Sequence, residues 1–123
     1  MQILVDTSSI LFAFRLRKNI FEMLEDLFPG ATIVVSKGVI NELKRFASSK
    51  KQSSGAARIA LMELSAAKNI SIDENELLPD KWLEKSARHG VVVCTNDIAL
   101  KRKLKHTGAR VLSLSLSGKF AMR

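Results

Sequence analysis

Two aspartates stand where short apolar runs of the chain end. Asp6 directly follows the run 3–5, and Asp97 closely follows the run 91–94. If both runs are strands of one parallel sheet, both acids lie at its carboxyl edge, where open α/β folds bind ligands. Carboxylates held there repel one another unless a cation neutralises them, which predicts a hard divalent metal and phosphate chemistry. Each aspartate is also a suitable N-cap for the helix predicted after it, and that alternative stays open.

Two further acids can reach the same edge. Glu42 lies about 60° from Val39 on a helical wheel of about 100° per residue, at the border of the apolar face. Asp80 stands in the first turn of a predicted helix, near its buried side, and Glu84 follows one turn later. The alternatives are a solvated Glu42 paired with Arg45, and an Asp80 that only complements the helix dipole. Four oxygen-donating acids, Asp6, Glu42, Asp80 and Asp97, would suit Mg²⁺ or Mn²⁺.

Basic residues cluster next in sequence to two of these acids. They are Lys44, Arg45, Lys50, Lys51, Lys101, Arg102 and Lys105. The net charge of +8 also favours a polyanionic partner, most simply nucleic acid. We therefore predict that these side chains hold phosphates on either side of a cut, the alternative being a solvated face. Trp82 and Phe120 are the remaining candidates for stacking on bases.

Composition and motifs exclude several classes of protein. The chain has no glycine-rich phosphate loop, which argues against an NTPase, and its two histidines have no zinc-like partners. No apolar run is long enough for a membrane span, and the N-terminus does not resemble a signal peptide. The only cysteine, Cys94, lies in a valine-rich run and predicts a buried thiol in a reducing, cytoplasmic setting.

Apolar runs and helical patterns alternate along the chain. Strands are predicted at 3–5, 31–35, 70–72, 91–94 and 110–114. Helices are predicted at 10–16, 20–28, 37–47, 56–68, 79–89 and 98–105. This alternation predicts an α/β protein, a three-layer α/β/α sandwich with a central, mostly parallel sheet. We expect a single domain over residues 1–117 and a loosely ordered tail at 118–123.

An ordered set of motifs resembles the PIN-domain nucleases. It consists of Val-Asp-Thr-Ser-Ser at 5–9, the run 33–35 that leads to Asn-Glu-Leu at 41–43, and Thr-Asn-Asp at 95–97. The resemblance covers nearly the whole chain. The stretch 20–64 is similar to the Fcf1-type branch, which is linked to small-subunit ribosomal RNA processing.

The resemblance implies a PIN-like α/β/α fold and a divalent-metal endoribonuclease. Asp6, Glu42 and Asp97 match the metal-binding acids of the family by motif, and Asp80 is the nearest match to the fourth acid. Thr95, or Ser8, matches its supporting hydroxyl position, although this branch often has Asn where Ser8 stands, and Asn96 is predicted to support the site with them. The implied partner is RNA, structured or single-stranded ribosomal RNA, with a homodimer or ribosome-assembly partners left open and no membrane.

Three hypotheses of function follow. The first is an endoribonuclease that uses Mg²⁺ or Mn²⁺, with ribosomal RNA processing as its setting. The second is a non-catalytic RNA- or ribosome-binding relative, because Asp80 stands about one residue away from the position of the family's acid, a shift that would weaken metal binding. The third is the toxin of a toxin–antitoxin pair, since the family includes toxins that cut RNA.

Overall fold

Short strands and helices alternate along the chain in the computed structural model, which describes residues 1–122. The strands are β1 (Gln2–Val5), β2 (Thr32–Ser36), β3 (Ile70–Asp73), β4 (Val91–Cys94), β5 (Arg110–Leu114) and β6 (Phe120–Met122). The helices are α1 (Thr7–Arg15), α2 (Ile20–Leu27), α3 (Lys37–Ala47), α4 (Ser54–Ala66), α5 (Pro79–Ser86) and α6 (Ile98–Leu104).

The strands form one sheet in the order β3-β2-β1-β4-β5-β6. All neighbours pair in parallel except β5 and β6, and the helices flank the sheet in an α/β/α sandwich, as predicted. From β1 the chain moves outward to β2 and β3, and it then returns to β4 and moves outward in the other direction. The order therefore reverses between β1 and β4, and open α/β sheets bind ligands beyond the carboxyl ends of such strands.

Apolar strands and capped helices explain why the sequence adopts these elements. Residues of β1 and β4 are buried on both faces, as expected of central parallel strands. The side chain of Asn19 accepts hydrogen bonds from two amides at the start of α2, and that of Ser36 accepts one from Val39 at 3.1 Å in α3. Cys94 is fully buried, as predicted.

Two predicted segments differ from the structure. The segment 118–122 is not a loose tail, because Phe120–Met122 pair with β5; Gly118 adopts a φ of 78° in the connecting turn, which a glycine allows. Arg123, the last residue of the predicted tail, lies outside the described residues. The helix predicted to reach residue 89 ends at Ser86, because Ala87 is extended and a turn before β4 follows.

Within residues 1–122, the helices are too short or too polar for any of them to span a bilayer.

Candidate active site at the switch point of the sheet

A cleft of about 500 Å³ opens beyond the carboxyl ends of β1 and β4. Its walls come from α1, α3, α5, α6 and the residues that follow β1 and β4. The structure brings all four predicted acids to this cleft: Asp6, Glu42, Asp80 and Asp97. The sequence had placed them on four separate elements, so their convergence on one cleft is a finding of the structure.

Asp6 is the buried acid of the cleft. Only 5% of its surface is exposed, and its Oδ2 accepts hydrogen bonds of 2.7 Å from the hydroxyls of Ser8 and Thr95. Burial raises the pKa of Asp6 above its ordinary value; the hydroxyl hydrogen bonds oppose this rise, and the charge of Asp97 adds to it. Asp6 does occupy the N-cap position of α1, as the alternative predicted, but its side chain makes no capping hydrogen bond to that helix.

Asp97 is exposed, caps the helix α6 and also lies on the wall of the cleft. Its Oδ1 accepts a hydrogen bond of 3.1 Å from the amide of Leu100, so it does cap α6, as the structural alternative predicted. It also lines the cleft. Its own amide donates to the hydroxyl of Thr95 at 3.1 Å, which links it through one side chain to Asp6.

Asn96 ties the end of β4 to its neighbours. Its backbone amide donates a hydrogen bond to Oγ of Ser8 at 3.0 Å, and its side-chain Oδ1 accepts one from Oγ of Ser9 at 3.0 Å. Its side chain also bonds both backbone groups of Leu114 in β5, at 2.8 and 3.0 Å. These hydrogen bonds hold the loop that carries Asp97 against α1, so Asn96 has a supporting position.

Glu42 reaches the cleft from the middle of α3. It is partly buried, and its Oε2 lies 3.8 Å from Nη2 of Arg45 one turn later. The ion pair predicted as the alternative is therefore present, but Arg45 is largely exposed, and such pairs contribute little to stability. Glu42 thus remains at the wall of the cleft with an opposite charge near it.

Asp80 reaches the cleft because the loop 74–78 before α5 is fixed at several points. Oδ1 of Asp73 accepts from the amide of Asn75 at 3.0 Å, and Oδ2 accepts from Nε1 of Trp82 at 3.0 Å. The side chain of Asn75 in turn accepts from the amide of Leu77 at 2.8 Å. Trp82 is fully buried, so the suggestion that it could stack on bases is wrong.

Gly38 lets this loop lie directly against α3. Its amide donates to the carbonyl of Asn75 at 3.1 Å, and a Cβ atom at Gly38 would lie 2.0 Å from the carbonyl oxygen of Leu77. No larger residue fits there unless the loop moves. Glu84, the other candidate for the fourth acid, forms ion pairs with Lys81 and Lys103 and does not line the cleft.

The cleft fits a hard cation by its donor chemistry. Its four acids offer oxygen ligands, the type preferred by Mg²⁺ and Mn²⁺. The hydroxyl of Thr7, on the cleft wall beside Asp6, is buried and has no hydrogen-bond partner within residues 1–122. The acids do not, however, form a ready coordination shell, since no three acid, histidine or cysteine side chains of the described chain stand close enough to hold an ion.

Comparison with known proteins identifies the family. A family model described as "PIN like domain" matches residues 3–116. The chain belongs to the PIN-like domain family. PIN domains are generally nucleases, and those nucleases generally use divalent metals such as Mg²⁺. A search of curated proteins gave no match.

Solved structures share the fold of this PIN domain at low sequence identity. The PIN domain endonuclease Utp24 has a TM-score of 0.73 and 21% identity over 99% of this chain and 90% of that one. A domain of a functionally unknown protein from Methanocaldococcus jannaschii has a TM-score of 0.71 and 17% identity, with 96% and 94% covered. VapBC2 from Rickettsia felis, bound to a promoter DNA fragment, has a TM-score of 0.63 and 16% identity, with 94% and 100% covered.

Arg15 is a cleft residue of this PIN domain that sequence reasoning missed. It lies at the end of α1, lines the cleft and donates a hydrogen bond to Oγ of Ser53 before α4. Ser8, Phe12 and Arg15 are spaced i, i+4 and i+7, and all three line the cleft. That helical spacing from the first acid was the signal that could have identified Arg15.

The predicted basic residues separate into different surfaces. Arg45 and Lys51 border a hollow next to Glu42, and both are exposed, as are Lys44 and Lys50. Lys101, Arg102 and Lys105 share a groove between α6 and β5. Their binding to nucleic acid stays a prediction.

Proposed function

We propose that this PIN domain is a divalent-metal-dependent endoribonuclease that hydrolyses RNA phosphodiesters. The observation that carries the proposal is the convergence of Asp6, Glu42, Asp80 and Asp97 on one cleft at the switch point of the sheet. Membership of a family that is generally nucleolytic supports it. The net charge of +8 supports a polyanionic substrate.

The four acids would hold Mg²⁺ or Mn²⁺, which supplies a water of lowered pKa and neutralises charge on the phosphate. Asp6 is the most fixed of the four, because Ser8 and Thr95 orient its carboxylate through Oδ2. Asp6 would hold the cation while these two hydroxyls keep its carboxylate in place. Arg15, at the cleft wall, is placed to contact a phosphate of the substrate.

The finer parts of the proposal rest on resemblance. The similarity to the Fcf1-type branch supports ribosomal RNA as the substrate, with a homodimer or ribosome-assembly partners as the predicted protein contacts. The buried Cys94 is consistent with the predicted cytoplasmic setting.

Cleavage of single-stranded RNA with added Mn²⁺ tests the proposal. We expect Asp6→Asn, Asp80→Asn and Asp97→Asn each to lower the cleavage rate at least about 100-fold, as is usual when a charge-stabilising group is removed. Glu84→Gln is the matched control for Asp80→Asn, because Glu84 lies on the same helix but away from the cleft. Cleavage that survives both Asp6→Asn and Asp97→Asn would rule out this site.

Two observations favour a second candidate, a non-catalytic RNA-binding relative. Within residues 1–122 no three of the acids stand close enough together to hold an ion, and Asp97 is engaged as a helix cap. Calorimetry with Mn²⁺ separates the candidates. Absence of Mn²⁺ binding together with salt-sensitive RNA binding would support the second candidate and contradict the first.

A further inference from the structure

A second groove lies beside the cleft, between α6 and β5. Its volume is about 520 Å³, within the usual range of small-ligand sites. We call it the α6–β5 groove; it is lined by Ile98, Lys101, Arg102, Lys105, Ala109 and Val111. Ile98 directly follows Asp97, which lines the cleft, so the groove begins where the proposed active site ends.

The charge of this groove is uncompensated. Lys101, Arg102 and Lys105 form no ion pair within residues 1–122, whereas Lys103 on the same helix pairs with Glu84. No carboxylate lines the groove. Like charges at i and i+4 destabilise a helix, and the pair Lys101–Lys105 has that spacing. Three cations gathered without a partner suit a run of phosphates.

The rest of the lining is aliphatic. Val111 is buried, Ala109 is half-buried, and Ile98 is 64% exposed although it is a large apolar side chain. An apolar surface flanked by cations matches a nucleotide, which has a flat base of low polarity between charged phosphates. A phosphate-only contact would not need the aliphatic part.

We propose that the α6–β5 groove holds one unpaired nucleotide of the RNA next to the cleft. Its base covers the aliphatic surface at Ile98 and Val111, and Lys101, Arg102 and Lys105 bind the adjoining phosphates. Because aliphatic side chains carry no hydrogen-bonding groups, they accept any base equally. The inference rests on the proposed function and narrows its substrate to RNA that is single-stranded at this position, since a paired base cannot turn into the groove.

Binding experiments without cleavage test this inference. The probe is a short fluorescent single-stranded RNA, and a duplex of the same sequence is the comparison. Affinities are measured by fluorescence anisotropy in EDTA, where no cleavage takes place. We expect Lys101→Ala with Lys105→Ala to weaken binding of the single strand at least about tenfold and to lower the salt slope by about 1.4. Lys68→Ala with Lys85→Ala removes the same charge from exposed lysines outside the groove and is expected to change affinity little.

A single abasic nucleotide, moved along the strand, tests for the base. At one position of the strand, the abasic nucleotide is expected to weaken binding to the wild-type protein by about threefold. This loss is smaller than the loss of a base stacked on an aromatic ring. Ile98→Ala, a change at an exposed side chain, is expected to remove that penalty. Equal effects of the two lysine pairs, equal binding of duplex and single strand, or no position-dependent abasic penalty would each overturn the inference.

The two proposals fail in distinguishable ways. Wild-type cleavage with Mn²⁺ but without the abasic pattern contradicts only the nucleotide site. The abasic pattern without any Mn²⁺-dependent cleavage supports the groove and contradicts the proposed nuclease.

Discussion

The hydroxyl of Thr95 donates a hydrogen bond of 2.7 Å to Oδ2 of Asp6, although 89 positions separate the two residues in the chain. The same hydroxyl accepts a hydrogen bond from the amide of Asp97 at 3.1 Å. One small side chain therefore fixes both acids that end the central strands. A threonine suits this position because its hydroxyl both donates to the carboxylate of Asp6 and accepts from the backbone amide of Asp97.

Asp6→Asn is expected to raise the thermal stability of the metal-free protein at neutral pH. Burial raises the pKa of Asp6 in the fold, so this carboxyl stabilises the fold only while it is protonated. That contribution is complete below the ordinary value of 3.8 and is lost as the pH rises through the raised pKa. The gain in Tm from asparagine should therefore be absent below pH 3.8 and should grow as the pH rises through the raised pKa.

Differential scanning fluorimetry across pH measures this gain. The control is Asp26→Asn, because Asp26 is exposed on α2. Added Mn²⁺ should raise the Tm of the wild type more than that of Asp6→Asn. A variant that is less stable than the wild type throughout this range would contradict the assignment of Asp6 as a costly buried charge.

Substitutions of Asp97 are expected to separate its two roles. Asparagine keeps an oxygen for the amide of Leu100, so Asp97→Asn should retain the stability of the wild type but lose cleavage. Asp97→Ala should lose cleavage and also about 1 kcal/mol of stability. Asn19→Ala, at the cap of α2, is the control that lowers stability without lowering cleavage. Wild-type cleavage by Asp97→Asn would leave Asp97 with the role of a cap alone.

Gly38→Ala is expected to displace Asp80. Alanine would normally stabilise a helix relative to glycine by up to about 1 kcal/mol, but here its Cβ meets the carbonyl oxygen of Leu77. The loop must move, and α5 moves with it. We expect Mn²⁺-dependent cleavage to fall at least about tenfold in Gly38→Ala. In a double-mutant cycle, Gly38→Ala should lower cleavage no further when Asp80→Asn is already present, because both changes act through Asp80.

The only tryptophan of the chain, Trp82, reports this movement without any activity assay. Its indole N–H resonance should shift in Gly38→Ala, because that group donates to Asp73 in the same locked segment. Gly55→Ala is the matched control, since Gly55 also lies in a helix but has open space where a Cβ would be. An unchanged resonance and unchanged cleavage in Gly38→Ala would show that the loop does not depend on this contact.

Cys94 is expected to be inert in the folded protein. Burial raises the pKa of its thiol to about 12 from an ordinary value of 9.0. A thiol reagent should therefore react only after denaturation. Between pH 9.0 and about pH 12 the unfolded chain loses this proton while the folded chain keeps it, so the free energy of unfolding falls by up to about 1.4 kcal/mol per pH unit. Cys94→Val should show a shallower fall, and an equal slope would contradict the shift.

Much of the site could be predicted because parallel strands impose it. Residues that follow β1 and β4 lie at the carboxyl edge, so Asp6 and Asp97 were expected at the same edge of the sheet, whereas the pairing of β1 with β4 that makes them neighbours came from the structure. Ser36 and Asn19 likewise predicted the starts of two helices, because their side chains can accept hydrogen bonds from the first helical amides. These features depend on short stretches of sequence and on the regular spacing of apolar residues, which is the same in the folded helices and strands.

Other features depend on the path of a loop, which no local pattern encodes. The choice of Asp80 over Glu84 follows from where the loop 74–78 is fixed, by Gly38 and by the buried indole of Trp82. The strand β6 depends on pairing with β5 through a tight turn at Gly118, and its short, exposed sequence carries little signal. In such cases contacts between distant residues decide the outcome.

The central pairing of β1 with β4 sets the order in which the domain can be completed during synthesis. Asp6 and Glu42 are made before Asp80 and Asp97, and β1 lacks β4 as its neighbour until Val91–Cys94 have been made. Contacts between residues so far apart form slowly, after the local helices. A half-made chain therefore lacks the cleft in which the four acids meet.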